Sequence, residues 1–140
     1  MKRVLVTRPI PEAGLAVLFP AASVEVSPRP LTQEEIVAKA AGCEAILCQL
    51  TDRIGAAAFD LPLLRVVATM SVGTDHVDLA AARRRGIAVT NTPGCLTEAT
   101  AELAWALILA TARRVPEAER FLRAGRFRGW DPLLMQGQAV

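Results

Sequence analysis

Short apolar runs alternate with longer stretches of mixed polarity along this chain. Val4 to Thr7 is a β-branched run ended by Arg8-Pro9, and it predicts a first strand. Pro11 to Leu18 predicts a helix with Pro11 near its start, where a missing N–H costs nothing; Pro20 closes it. Ser23 to Ser27 alternates as a short second strand, and Pro28-Arg29-Pro30 is a loop. Thr32 and Glu35, three residues apart, form a capping box that opens a helix to about Ala41, with Gly42 as its stop. Glu44 to Cys48 predicts a third strand, and Gln49-Leu50-Thr51-Asp52 its exit. Ile54 to Phe59 predicts a short helix. Arg65-Val66-Val67-Ala68-Thr69-Met70 is a fourth strand, apolar enough to be buried and parallel. Asp78 caps a helix that runs through Arg85 and stops at Gly86. Ile87 to Thr90 is a fifth strand, turned by Asn91-Thr92-Pro93-Gly94.

Strand and helix thus alternate five times with short connections, the signature of βαβ units and a parallel sheet. Right-handed crossovers bring the exits of the third, fourth and fifth strands to one edge: Gln49 to Thr51, Ser71 to Thr74 and Thr92 to Leu96. Small ligands bind at the carboxyl ends of such strands. Ser71 and Gly73 permit a sharp exit from the fourth strand with backbone N–H groups pointing outward. Val72 and Gly73 therefore read as an amide cradle for an anion, most simply a carboxylate. The same spacing also fits an ordinary strand-to-helix loop.

The pattern changes after Pro93-Gly94. Thr97 is expected to cap a long helix with Glu98 and Glu102 in its first turns, where acids suit the helix dipole. Ala99 to Ala112 is apolar on nearly every side, Arg113 and Arg114 follow, and Pro116 is expected to break the helix. A helix apolar all round is expected to pack between two bodies: the preceding domain, and another domain or subunit. It is too short to span a bilayer comfortably, and Glu102 interrupts it. A second helix, Glu117 to Ala124, stops at Gly125. The tail from Arg126 to Gly137 is apolar without a period and is expected to dock on something.

Composition narrows the function classes. A hydrophobic content of 52% fits a packed globular protein. A net charge of +2 gives no reason to expect nucleic acid or a membrane surface as partner. Cys43, Cys48 and Cys95 form neither a disulfide framework nor, with His76, a zinc pattern, so the expectation is a reducing cytoplasm and no metal. The chain enters its first strand at once, and that apolar run is too short for a secretory signal peptide.

Four blocks carry a family resemblance: Val4-Leu5-Val6-Thr7-Arg8; Met70 through Asp78; Arg85-Gly86-Ile87-Ala88-Val89; and Asn91-Thr92-Pro93-Gly94 with Leu96 through Ala104. With these the chain resembles the N-terminal part of the D-isomer-specific 2-hydroxyacid dehydrogenases, most closely the glyoxylate/hydroxypyruvate reductase (glycerate dehydrogenase) branch. The resemblance implies an α/β fold with a flavodoxin-like parallel five-stranded sheet flanked by helices, a substrate-binding domain over residues 1–94. It implies that residues 95–140 are crossover helices and a tail leading into an NAD(P)-binding Rossmann domain. The substrate class it implies is a small 2-keto or 2-hydroxy acid, and the assembly a homodimer through the helices of residues 97–124. Val72 and Gly73 would donate N–H groups to the substrate carboxylate, with Val72 also near the nicotinamide. Leu50 would line the substrate pocket. Leu96 and Thr100 would touch the nicotinamide end of the cofactor. Trp130 would reach into the partner subunit's active site. Read without the family, Leu50 is a core residue, Thr100 a hydroxyl bonding within its own helix, and Trp130 an apolar anchor. His76 matches a structural Asn/His slot of the family, not its catalytic histidine.

The chain also departs from the family. It has no G-x-G-x-x-G after a strand and no acidic residue placed to hold an adenine ribose. Nothing in it matches the family's catalytic Arg, Glu and His, which lie in the part that would follow residue 140. Hydride transfer to a ketone needs a proton donor, a cation on the carbonyl and a held nicotinamide. The expectation is a truncated gene product or an excised domain that is inactive alone and does not bind NAD(P) by itself. The alternative is a stand-alone module that binds a small carboxylate or dimerises. An FMN carrier is disfavoured because the exit of the first strand lacks a phosphate-binding loop.

Overall fold

Apolar β-branched runs and the turns between them set the architecture. The computed structural model describes all 140 residues. Strands β1 (Lys2–Val6), β2 (Ala22–Val26), β3 (Ala45–Gln49), β4 (Val66–Met70) and β5 (Ala88–Thr90) make one five-stranded sheet in the order β2-β1-β3-β4-β5. All four pairings are parallel, with Leu5 beside Ile46, Ile46 beside Val67, and Val67 beside Val89. This is the flavodoxin-like order, in which the direction of strand addition reverses between β1 and β3.

Strand alternation sends side chains to two faces: the first is covered along the sheet, and the second over β1, β2 and β3, while Met70, Ala88 and Thr90 of β4 and β5 are exposed. Leu5, Ile46 and Val67 face one side, where they join Ile36, Ile54, Phe59, Val77, Ala81 and Ala82 in the main core. Val4 and Val6 face the other, where Leu15 and Leu18 pack with Ala22. The first layer is supplied by α2 (Gln33–Lys39), a 3₁₀ turn (Ala56–Asp60) and α3 (Leu79–Arg85), and the second by α1 (Glu12–Leu18).

The caps explain where these helices begin and end. Thr32 accepts from the Glu35 N–H while Glu35 accepts from the Thr32 N–H, the reciprocal box that opens α2. The Arg29 guanidinium, and then the Thr32 N–H, hold the Glu35 carboxyl down at about 2. Asp78 caps α3 through the Ala81 N–H at 2.8 Å, and Gly86 ends it in the left-handed region at φ 65°.

The 54–59 segment departs from its expected helix. Ile54 is drawn into a parallel bridge with Val77: its N–H donates to the His76 carbonyl and its carbonyl accepts from the Asp78 N–H. Only Ala56–Asp60 is left to turn, as a 3₁₀ segment.

The chain divides into two compact units, Met1–Gly94 and Cys95–Val140. The second contains α4 (Thr97–Ala112) and α5 (Val115–Arg123). Leu96, not Thr97, holds the cap position of α4, and no side chain caps it. Pro116 does not break α4, which has already ended at Arg113. It lies in the first turn of α5, where proline is at home, after Arg114 has turned the chain at φ 57°. The tail folds back on its own unit: the Gln138 N–H donates to the Ala112 carbonyl at 2.9 Å, and the Arg114 guanidinium donates to the Gln136 carbonyl at 3.2 Å. No residue of α4 is buried, and Leu103 and Trp105 are each 60% exposed. No helix is long and apolar enough to cross a membrane.

Candidate functional site

The carboxyl edge of the sheet collects the exits of β1, β3, β4 and β5. At the reversal between β1 and β3, where such folds usually take ligands, the crevice is closed by the chain's own charges. Asp52 has a fully buried side chain that pairs with Arg8, accepts from Thr7 Oγ1, and accepts from the Gln49 N–H at 2.8 Å. This one carboxylate ties the β1 exit to the β3 exit and fixes the turn that presents Leu50. Leu50 itself is 64% exposed, so it does not belong to the core.

One strand over, the β4 exit is built differently. Three successive carbonyls are taken up from behind. The Ser71 carbonyl accepts from the Thr92 N–H at 2.9 Å, the Val72 carbonyl from Asn91 Nδ2 at 2.7 Å, and the Gly73 carbonyl from Ser71 Oγ at 2.7 Å. Every peptide here is trans, so each N–H points opposite to the carbonyl of its own peptide unit. The N–H groups of Val72, Gly73 and Thr74 are thereby turned away from those partners, and none has an acceptor within the protein. Successive outward N–H groups of this kind make an anion-binding concavity. Val72 and Gly73 are exposed, and a Cβ built on Gly73 would meet only Asp75 Oδ2, at 3.7 Å. Within this unit the turn is therefore an open shelf.

Behind the shelf lies a line of polar side chains. His76 Nε2 stands 2.9 Å from Thr69 Oγ1, and Thr69 Oγ1 stands 2.8 Å from Ser71 Oγ. Thr69 and Ser71 are both buried. Burial, the largest influence, pushes the neighbouring Cys48 thiol up to about 11, so it stays protonated at neutral pH and is no nucleophile.

Of the residues singled out from sequence, Leu50, Val72 and Gly73 share this edge, because Gln49 and Met70 are paired at the ends of β3 and β4 and these residues follow them. Leu96, Thr100 and Trp130 belong to the second unit. Leu96 and Thr100 are exposed one turn apart on α4, joined by the Thr100 N–H to the Leu96 carbonyl at 2.9 Å. Trp130 is 87% exposed, on the rim of an apolar pocket of about 490 Å³ that also includes Phe121, Leu122, Phe127 and Met135. The sequence reading missed Arg8, Asp52, Thr69 and Asn91. Arg8, Asp52 and Asn91 meet their partners between strand exits, which no local spacing records, whereas Thr69 meets Ser71 and His76, two and seven residues on, only because the β4 exit turns back.

The family model for D-isomer specific 2-hydroxyacid dehydrogenase, catalytic domain, matches residues 4–124. The chain belongs to this family. A glyoxylate reductase of Korarchaeum cryptofilum is 44% identical over 142 residues, covering 99% of this chain and 43% of that protein. A solved protein of Thermus thermophilus is 46% identical with a TM-score of 0.89, covering 97% of this chain and 45% of that one. An NADPH-dependent glyoxylate/hydroxypyruvate reductase of Sinorhizobium meliloti, solved with citrate, is 34% identical with a TM-score of 0.78, covering 95% of this chain and 42% of that one. The chain spans less than half the length of these relatives.

Members of this dehydrogenase family act on small 2-hydroxy or 2-keto acids and bind NAD(P). The β1 and β2 exits carry Pro9, Pro11, Pro28 and Pro30, which have no N–H to offer a pyrophosphate, and the β3 exit is tied down by Asp52. The β4 exit offers N–H groups enough for one small anion.

Proposed function

We propose that this chain is the substrate-binding segment of an NAD(P)-dependent 2-hydroxyacid dehydrogenase of the glyoxylate/hydroxypyruvate reductase type, and that the Val72–Gly73 turn holds the substrate carboxylate. One observation supports this above the others. Three carbonyls of the turn are engaged from behind while the Val72 and Gly73 N–H groups have no partner. An oxyanion placed there gains two charge-assisted hydrogen bonds. Leu50 supplies an apolar wall, so the acid is oriented by its charged end. Val72, Leu96 and Thr100 take the nicotinamide side, and Trp130 serves a partner subunit's cleft, in the assembled enzyme. That enzyme is a cytoplasmic homodimer; the solvent-facing apolar surface of α4 supports the dimer.

By itself the chain binds the acid but neither NAD(P) nor the transition state. It has no proton donor and no cation assigned to the carbonyl. The test is a ¹H–¹⁵N titration with glyoxylate, run beside an NAD(P)H oxidation assay. The Val72 and Gly73 amides are expected to shift saturably, with a dissociation constant on the order of 1 mM, and turnover to stay at background. Saturable shifts elsewhere with these two amides unmoved, or measurable turnover, overturn the reading.

A further inference from the structure

The family assignment leaves His76 without a task, yet its ring is the far end of a hydrogen-bonded line that reaches the shelf. The direction of that line follows from counting protons. The Gly73 carbonyl can only accept, so Ser71 Oγ spends its single proton on it, at 2.7 Å. Ser71 Oγ must then accept from Thr69, 2.8 Å away, which spends Thr69's only proton. Thr69 Oγ1 must in turn accept from His76 Nε2 at 2.9 Å. Reversing the histidine step would leave two hydroxyl oxygens 2.8 Å apart with no proton between them. The ring nitrogen that carries the proton is therefore Nε2. Nδ1 is buried and without a partner, so nothing in the protein competes for the other tautomer.

We propose that His76 is a positioning residue. As the Nε2–H tautomer it donates into a one-way relay through Thr69 and Ser71 that fixes the Gly73 carbonyl. Asn91 holds the peptide before Gly73 and this relay holds the peptide after it, so the direction of the Gly73 N–H is set from both sides. Thr69 is well suited to the middle of the line. It sits in β4, where a β-branched residue is favoured, and it is only 2% exposed, so water does not compete for its hydroxyl. The segment after β3 holds the histidine backbone: the His76 carbonyl accepts from the Ile54 N–H at 2.9 Å.

The inference rests on the carboxylate-cradle reading for its benefit to function, but it has a readout that needs no ligand. Long-range ¹H–¹⁵N spectra of the imidazole are expected to show the proton on Nε2 in the wild-type chain. A ring protonated on Nδ1 alone overturns the relay whatever binds. In glyoxylate titrations, Thr69→Val and His76→Phe are expected to weaken the response of the Val72 and Gly73 amides roughly fivefold, the worth of about one hydrogen bond. His76→Gln, whose terminal amide reaches the place of the ring Nε2, is expected to restore it to within about twofold. Thr69→Val keeps the shape of the strand residue, so it guards against a variant that fails to fold. A Thr69→Val chain that binds as the wild type does overturns the relay. A wild-type chain whose two amides ignore glyoxylate overturns the cradle and leaves the relay to be judged by the tautomer.

Discussion

Asp52 shows how much one side chain can organise without lying in a recognisable pattern. Its carboxylate receives a hydroxyl, a backbone N–H and a guanidinium while fully buried. Removing it strands three donors at the sheet edge. Asp52→Ala is expected to lower the urea midpoint, followed by circular dichroism, by the equivalent of about 3 kcal/mol. That is the lower end for breaking a buried pair, because Arg8 keeps some solvent access. A loss below about 1 kcal/mol would mean that Arg8 and Thr7 find other partners. In sequence, Asp52 is merely a turn-forming residue after Leu50 and Thr51. Its partners come from forty-odd residues earlier in the chain, so only the folded sheet brings the three together. Asn91, whose partner Val72 lies nineteen residues back, was unreadable for the same reason, and Thr69 because only the turn of the β4 exit brings His76 to it; Val72 and Gly73 were legible because a cradle made of backbone leaves its mark locally, as small residues after an apolar run.

At the scale of elements, punctuation was the most readable part of the chain. The Thr32–Glu35 box, the Asp78 cap and the Gly86 stop are short-range chemistry and occur where their spacing placed them. Gly86→Ala gives this a number. Nothing lies within 4 Å of an added Cβ there, so the whole cost comes from the left-handed backbone, and a loss of about 1 kcal/mol in thermal or urea unfolding is expected. No measurable change would show that the residue moves to another conformation at no cost. Ile54 left its expected helix because tertiary pairing with Val77 outweighed local preference, and Leu96 holds a cap position that Thr97 suits better chemically. Pro116 was recognised as a boundary but assigned to the wrong side of it, since proline marks the first turn of a helix as readily as the end of one.

For the molecule as a whole, the alternation of strand and helix was enough to define a parallel sheet, and short connections were enough to bring the β3, β4 and β5 exits together. What a single chain cannot satisfy is equally plain in α4. Trp105, Leu107, Ile108 and Leu109 are all exposed on a helix with no buried residue. An apolar face of this kind drives association, so light scattering is expected to show dimers or larger species at micromolar concentration, and Ile108→Glu to shift them toward monomer. A monodisperse wild-type monomer would contradict this. The shelf at the β4 exit has a different consequence for experiments in solution. Its carbonyls are anchored from within while its N–H groups face no acceptor. Those amides should trade their protons with water almost as fast as an unfolded segment does, while the anchored carbonyls are expected to keep the backbone carrying them stiff. Deuterium uptake would then mark as loose the very corner that relaxation measurements find stiff.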